Sequence, residues 1–211
     1  MGPEESESLP LLVAQVQERR RSIHGRPVLI GIDGRSGSGK TSYAARLASQ
    51  LGALEHTCET VHLDDLYQGW SGLAEALAPL CQDILEPLSR GQLARFASWD
   101  WVGDRVGETM TVPRAQVVIV EGVGTLLAPC SARLDLRVWL EAPAAFRRAR
   151  ALRRDGVTFA PHWDDWADQE KQLLAAHGSP QADLWVDTTT DLLLAAEVRA
   201  RSPVAGASDA R

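Results

Sequence analysis

The stretch GRSGSGKT, Gly34 to Thr41, combines glycines, hydroxyls and a lysine at a spacing suited to holding polyphosphate. Gly34 is followed after four residues by Gly39, Lys40 and Thr41. This is the P-loop pattern, in which backbone N–H groups surround phosphate oxygens, a lysine reaches the outer phosphates and a hydroxyl ligates Mg²⁺. Of the 22 basic residues only two, Lys40 and Lys171, are lysines, and one of them closes this loop. A compact ammonium suits a point contact with phosphate better than the planar fork of arginine. On this reading Gly34, Arg35, Ser36, Gly37, Ser38, Gly39, Lys40, Thr41 and Ser42 contact ATP, Thr41 also holds Mg²⁺, and Lys40 takes part in the chemistry.

Acids stand where such a loop could use them. HLDDLY places Asp64 and Asp65 just past a short apolar strand, where a carboxylate can take a proton from an attacking hydroxyl or help hold the metal; the plainer alternative is an exposed acidic turn. Glu121 ends the apolar run VVIV, an awkward place for an acid unless it faces a nucleotide cleft, and is a second metal candidate. Arg147, Arg150 and Arg154 follow i, i+3, i+7 spacing, so they share one side of a helix and could close over a triphosphate; a solvated helix face is the alternative. On the acceptor side, Trp70 and Trp99 are the best of several tryptophans for stacking on a flat ligand, and Asp100 and Arg105 could hydrogen-bond its hydroxyls or a phosphate, or pair with each other. His62, inside the strand, reads as a satisfied core histidine.

The totals narrow the field. A net charge of −6 gives no basic footprint for nucleic acid, and no apolar run approaches the ~20 residues of a membrane span. The chain has no asparagine, and Lys171 is followed by Gln172 and Leu173, so the Asn/Thr-Lys-x-Asp element of guanine-specific switches is absent. Cys58, Cys81 and Cys130 lack metal-ligand spacing, and an odd count fits inert thiols in a reducing compartment, hence a cytoplasmic protein.

The elements that must position these residues alternate. A leading helix (LPLLVAQVQERRRS) precedes a buried strand (RPVLIGID), which runs into the phosphate loop and then a helix (KTSYAARLASQLG). Further strands are expected at ETVHL, AQVVIVEGVG, LDLRVWLEA and ADLWVDTT. Helices are expected around Pro79 and Pro87, at PAAFRRARALRRDG, at HWDDWADQEKQLLAAHG and at DLLLAAEVRAR. The 211 residues form one α/β domain, a P-loop NTPase-type three-layer sandwich on a mainly parallel sheet of about five strands with a helical lid; residues 1–8 and 202–211 are expected to be flexible. In such sheets ligands sit beyond the carboxyl ends of the strands, so the loops after GID, VHL and VIVE should share one cleft.

From about Val28 to Thr188 the chain resembles the uridine kinase and phosphoribulokinase group of P-loop kinases. GIDGRSGSGKTS is similar to that family's phosphate loop, LDDLY to its Asp-x-Phe-Tyr segment, and WDWVGDR to its Tyr-Asp-Phe segment. ETMTVPRAQVVIVEGV resembles the strand ending in Glu-Gly, RRARALRRD the lid, and SPQADLWVD the last strand. The resemblance implies ATP- and Mg²⁺-dependent transfer of a γ-phosphate to a hydroxyl of a small molecule, with Asp64 as base and Tyr67 beside it. It also departs from the family: QGWSGL replaces the aspartate-rich nucleoside-binding segment, and Asp104 stands where a base-contacting histidine is expected. Two alternatives stay open, a nucleotide-binding regulatory or ATPase module without an acceptor, and a kinase for a phosphorylated acceptor.

Overall fold

The computed structural model describes residues 5–189. The helix expected at DLLLAAEVRAR and the tail 202–211 lie outside the described residues, as do residues 1–4.

Five parallel strands form the central sheet in the order β2-β5-β1-β6-β7: β1 (Val28–Asp33), β2 (Cys58–His62), β5 (Val117–Glu121), β6 (Leu136–Glu141) and β7 (Leu184–Asp187). The two strands nearest the centre, VLIGID and VVIVE, are buried along their whole length, as strands covered on both faces must be. Their side chains alternate between two cores. Val28, Ile30, Ile32, Val117 and Ile119 face α1 (Glu5–Ser22) and α2 (Lys40–Ala53), whereas Leu29, Val118 and Val120 face the opposite layer. That layer contains α3 (Leu77–Pro79), a π-helical stretch (Leu80–Leu85), α4 (Glu86–Ser89), α5 (Ala144–Phe159) and α6 (Trp163–His177). Each fully buried Leu or Ile in these layers contributes about 1.5–3 kcal/mol, so the two cores hold the layers together without help from the surface.

Three features differ from expectation. Helix α1 begins at Glu5, and Ser8 is buried with its hydroxyl 3.0 Å from the Tyr43 hydroxyl, so Ser8 is docked rather than free. A separate antiparallel hairpin of β3 (Arg95–Asp100) and β4 (Arg105–Thr111) projects outside the main sheet. Because β4 is exposed at nearly every position, it carries no apolar alternation from which a strand could be read. Finally, Cys81 and Cys130 are joined by a disulfide, and Cys58 alone is a free thiol. The expectation of three inert thiols is corrected: residues far apart in sequence meet because the helical segment around Cys81 packs on the loop after β5, and the cysteine count lends no support to a reducing compartment.

The bridge spans a sequence separation of 49 residues, so its loss frees a long loop in the unfolded chain. Reduction, or the paired change Cys81→Ser and Cys130→Ser, is expected to lower unfolding free energy by about 2–4 kcal/mol, read from the urea midpoint. An unchanged midpoint would show that the bridge contributes nothing.

Candidate active site

The phosphate loop is a rigid bend between β1 and α2. Gly39 caps α2 in the left-handed region (φ 95°), turning the first amides of the helix toward the loop. Gly37 has φ 78°, and a Cβ there would come within 2.0 Å of the Arg147 carbonyl oxygen, so only glycine fits. The Lys40 ammonium folds back over the loop and donates to the Gly34 carbonyl at 2.8 Å.

Neighbouring elements hold the bend from outside. Arg147 is buried, donating to the carbonyls of Ala142 (3.0 Å) and Ser36 (3.1 Å). Arg150 donates to the carbonyls of Gly37 (3.0 Å) and Thr188 (2.7 Å). Thr188 in turn donates to the Ser38 carbonyl at 2.8 Å. From α6, the buried Glu170 carboxylate accepts from the Ser36 amide at 2.7 Å and from Arg35 Nε at 3.1 Å. The arginine stripe is thus graded by depth. Arg147 lies beneath the loop and away from the cleft, Arg150 spans loop and cleft, and Arg154 lines the cleft, bonded to Asp155 at 2.7 Å.

Asp33 lies at the carboxyl end of β1, wholly buried. Its carboxylate accepts the amides of Gly34 (2.6 Å), Gly124 (3.1 Å) and Leu126 (2.8 Å), which ties the phosphate loop to the loop following β5. Burial pushes it up to about 6, partly offset by those amides and by the Lys40 charge.

The register that pairs Ile32 with Glu121, and Glu121 with His62, brings three strand ends together. Thr41 Oγ1 donates to Glu121 Oε1 at 3.0 Å, and His62 Nδ1 bonds the same oxygen at 2.6 Å. Burial alone would raise Glu121, but the His62 bond, the Lys40 charge and the Thr41 bond outweigh it and hold the carboxyl below its ordinary value. His62 is raised, chiefly by its bond to Glu121. It is half-exposed in a polar cluster and not a core histidine. Asp64 sits in a single 3-10 turn, Leu63–Asp65; the cleft walls around its carboxylate, and next the Glu121 charge, raise it. Asp65 is also raised, first by burial.

In front of these acids lies a cleft of about 710 Å³. Ser36, Gly37, Gly39, Lys40, Thr41 and Ser42 form one end, with Asp64, Asp65 and Glu121 along one side. Tyr67, Trp70, Trp101, Phe159 and Trp166 form the far wall. There Trp70 stacks on His162 (4.3 Å, 9°) and on Phe159 (5.5 Å, 17°), while the buried Tyr67 hydroxyl donates to the Val123 carbonyl at 2.9 Å. Gly34, Arg35 and Ser38 support the loop without lining the cleft. The cleft also excludes Trp99, whose buried indole nitrogen has no partner, and Asp100 and Arg105, which pair with each other across the hairpin at 3.3 Å. In Trp99's place the hairpin offers Trp101, which lies past the end of β3 in the connecting turn, where strand alternation no longer sets the side-chain direction. Asp33, Glu170 and Trp101 were not singled out from the sequence. The first two lie in segments read only as strand and helix, and Trp101 differs from Trp99 only by a turn geometry that spacing does not encode.

A parallel sheet with a glycine loop between its central strand and a helix, flanked by an acid at the end of the adjacent strand, defines a P-loop nucleotide-binding protein. No protein-family model matches the chain. It is 30% identical over 145 residues to a uridine kinase of Clostridium perfringens (strain SM101 / Type A), covering 62% of this chain and 69% of that one. Among solved structures, one assigned as a fructose transport system kinase from Silicibacter sp. TM1040 superposes with TM-score 0.61 at 21% identity, covering 85% of this chain and 98% of that one. Another, called a possible uridine kinase from Bacillus stearothermophilus, gives 0.53 at 18%, covering 83% and 99%. The chain belongs to the uridine kinase-like family of P-loop kinases.

Asp33 gives this site a pH signature. Its folded value, about 6, lies above the ordinary 3.8, so the native state binds the extra proton and stability falls as pH rises from about 4 through 6. Asp33→Asn is expected to flatten the urea midpoint over that window while lowering it overall, because one amide oxygen cannot serve three N–H donors. A slope identical to the parent's would remove Asp33 as its source.

Proposed function

We propose that the protein transfers the γ-phosphate of ATP to a hydroxyl of a small molecule, a nucleoside or similar flat alcohol, as uridine is phosphorylated by its named relatives. The observation that carries this reading is the position of Asp64, which lines the same cleft as the phosphate loop and an aromatic chamber of Tyr67, Trp70, Trp101 and Trp166. A regulatory module without an acceptor would have no use for that chamber. The arginines lining the cleft are Arg150 and Arg154, both of the lid helix, while Arg105 is engaged with Asp100 outside it. This charge distribution favours an unphosphorylated acceptor over a phosphorylated one.

The donor set fits MgATP. Gly39 starts α2 in a left-handed conformation beside the Arg150 guanidinium, Lys40 supplies a cation at the loop, and Thr41 beside Glu121 offers two oxygen ligands to a hard cation, with Asp64 as a further one. Bound Mg²⁺ would neutralise charge on the phosphates. Lys40 and the loop amides hold the phosphates in line with the acceptor, and Asp64, or alternatively its neighbour Asp65, accepts the hydroxyl proton. Arg150 and Arg154 stabilise charge on the transferring group, and the lid carrying them excludes water, so that hydrolysis does not compete. Tyr67, Trp70 and Trp101 shape the acceptor side. Among the described residues no helix is long and apolar enough to cross a membrane, and the cytoplasm, where ATP is available, is the compartment that accords with this reading.

Screening nucleosides, sugars, vitamins and other alcohols for acceptor-dependent ADP release tests the reading, and a complete lack of acceptor dependence would refute it. With an accepted alcohol, Asp64→Asn should leave ATP affinity nearly intact and lower turnover by about a hundredfold or more. Asp65→Asn falling equally far, with Asp64→Asn unaffected, would transfer the role.

A further inference from the structure

The hairpin touches the catalytic turn through one polar contact. Trp101, at the start of the β3–β4 connection, donates its indole Nε1–H to the backbone carbonyl of Asp64 at 2.8 Å. The turn's own backbone bonds end on the preceding carbonyl, that of Leu63, which accepts from Leu66 N at 2.8 Å and Tyr67 N at 3.1 Å. Trp101 therefore supplies from a distant element the donor that the Asp64 carbonyl uses. The same ring lies 5.0 Å from Trp70 at 58° and lines the cleft.

The surroundings of this contact make it a coupling point. The hairpin's outer side is largely solvent, with Val102 99% and Val106 59% exposed, while its base is anchored by the buried Phe96 and Val112. Its tip is shaped locally: the Asp100 carboxylate accepts the amides of Val102 at 3.1 Å and Gly103 at 2.9 Å, and Asp104 takes a left-handed φ of 47°. A tip so shaped holds Trp101 over the cleft with its N–H on the base-bearing turn and its ring against the acceptor wall.

We propose that Trp101 is a positioning residue for the base: its N–H fixes the pitch of the Leu63–Asp65 turn and so aims the Asp64 carboxylate, while its ring forms part of the wall against which the acceptor docks. The inference rests on the reading of Asp64 as base. The two functions of the side chain are separable, since the N–H acts on proton transfer and the ring on binding. Small errors in aim matter, because a displacement of about 1 Å at a reacting group can cost on the order of a hundredfold in rate.

Trp101→benzothienylalanine keeps the bicyclic shape and lacks the donor, so it isolates the N–H, whereas Trp101→Phe removes the donor together with part of the ring. On the free protein, amide hydrogen exchange across residues 63–67 should accelerate about tenfold in both, with α2 unchanged. With uridine as probe acceptor at saturating MgATP, kcat of the benzothienyl variant should fall about tenfold while the uridine KM stays within about twofold, whereas Trp101→Ala should also raise KM. Unaltered exchange in the benzothienyl variant overturns the proposal, as does faster exchange with parental kcat. Failure of the underlying reading looks different: Asp64→Asn would then retain parental turnover. If the parent chain does not phosphorylate uridine, that counts against uridine as acceptor, and the exchange measurement alone decides the proposal.

Discussion

One buried carboxylate organises the active end of the sheet. Asp33 accepts amides from both the phosphate loop and the loop after β5, so the bend that would hold phosphate and the segment following Glu121 cannot move independently. A wholly buried acid is costly unless its oxygens are satisfied, and here three backbone donors and the nearby Lys40 charge satisfy them. The parallel register of β1 with β5 and of β5 with β2 then puts Thr41, Glu121, His62 and Asp64 around one point.

Around that centre, charge is distributed by depth. Arg147 is spent on loop carbonyls, Arg150 straddles loop and cleft, and Arg154 faces the acids. Arginine suits the deeper positions because its several donors can satisfy carbonyls from different segments at once. Glu170 braces the loop from α6, so the helix that contributes Trp166 to the aromatic wall of the cleft also touches the phosphate loop. α5 carries a non-helical Gly156 (φ 49°, ψ −123°) immediately before the segment that bears Phe159, which places a break between its arginines and its aromatic end.

The sheet was legible in the sequence because its central strands are buried on both faces and read as unbroken apolar runs bounded by glycine and charge. The phosphate loop was legible because its chemistry requires particular residues at fixed spacing. The hairpin was not: β4 is solvent-exposed and has no period to detect. The same gap explains why Trp99 was preferred to Trp101, since which of two nearby tryptophans turns inward depends on the tip conformation. The i, i+3, i+7 spacing of Arg147, Arg150 and Arg154 implies a shared helix side but not their different depths, which follow from how α5 packs on the loop. Cys81 and Cys130 meet only through tertiary packing, and no local pattern announces them.

The central claim is that the loop closed by Lys40 holds the phosphates of MgATP. Isothermal titration of MgATP into the parent chain and into Lys40→Ala tests it most directly. The account predicts one site per chain, with affinity at least about tenfold weaker in the variant, as for loss of a charge-assisted contact. Equal affinities, or no magnesium-dependent binding by folded parent protein, would contradict it.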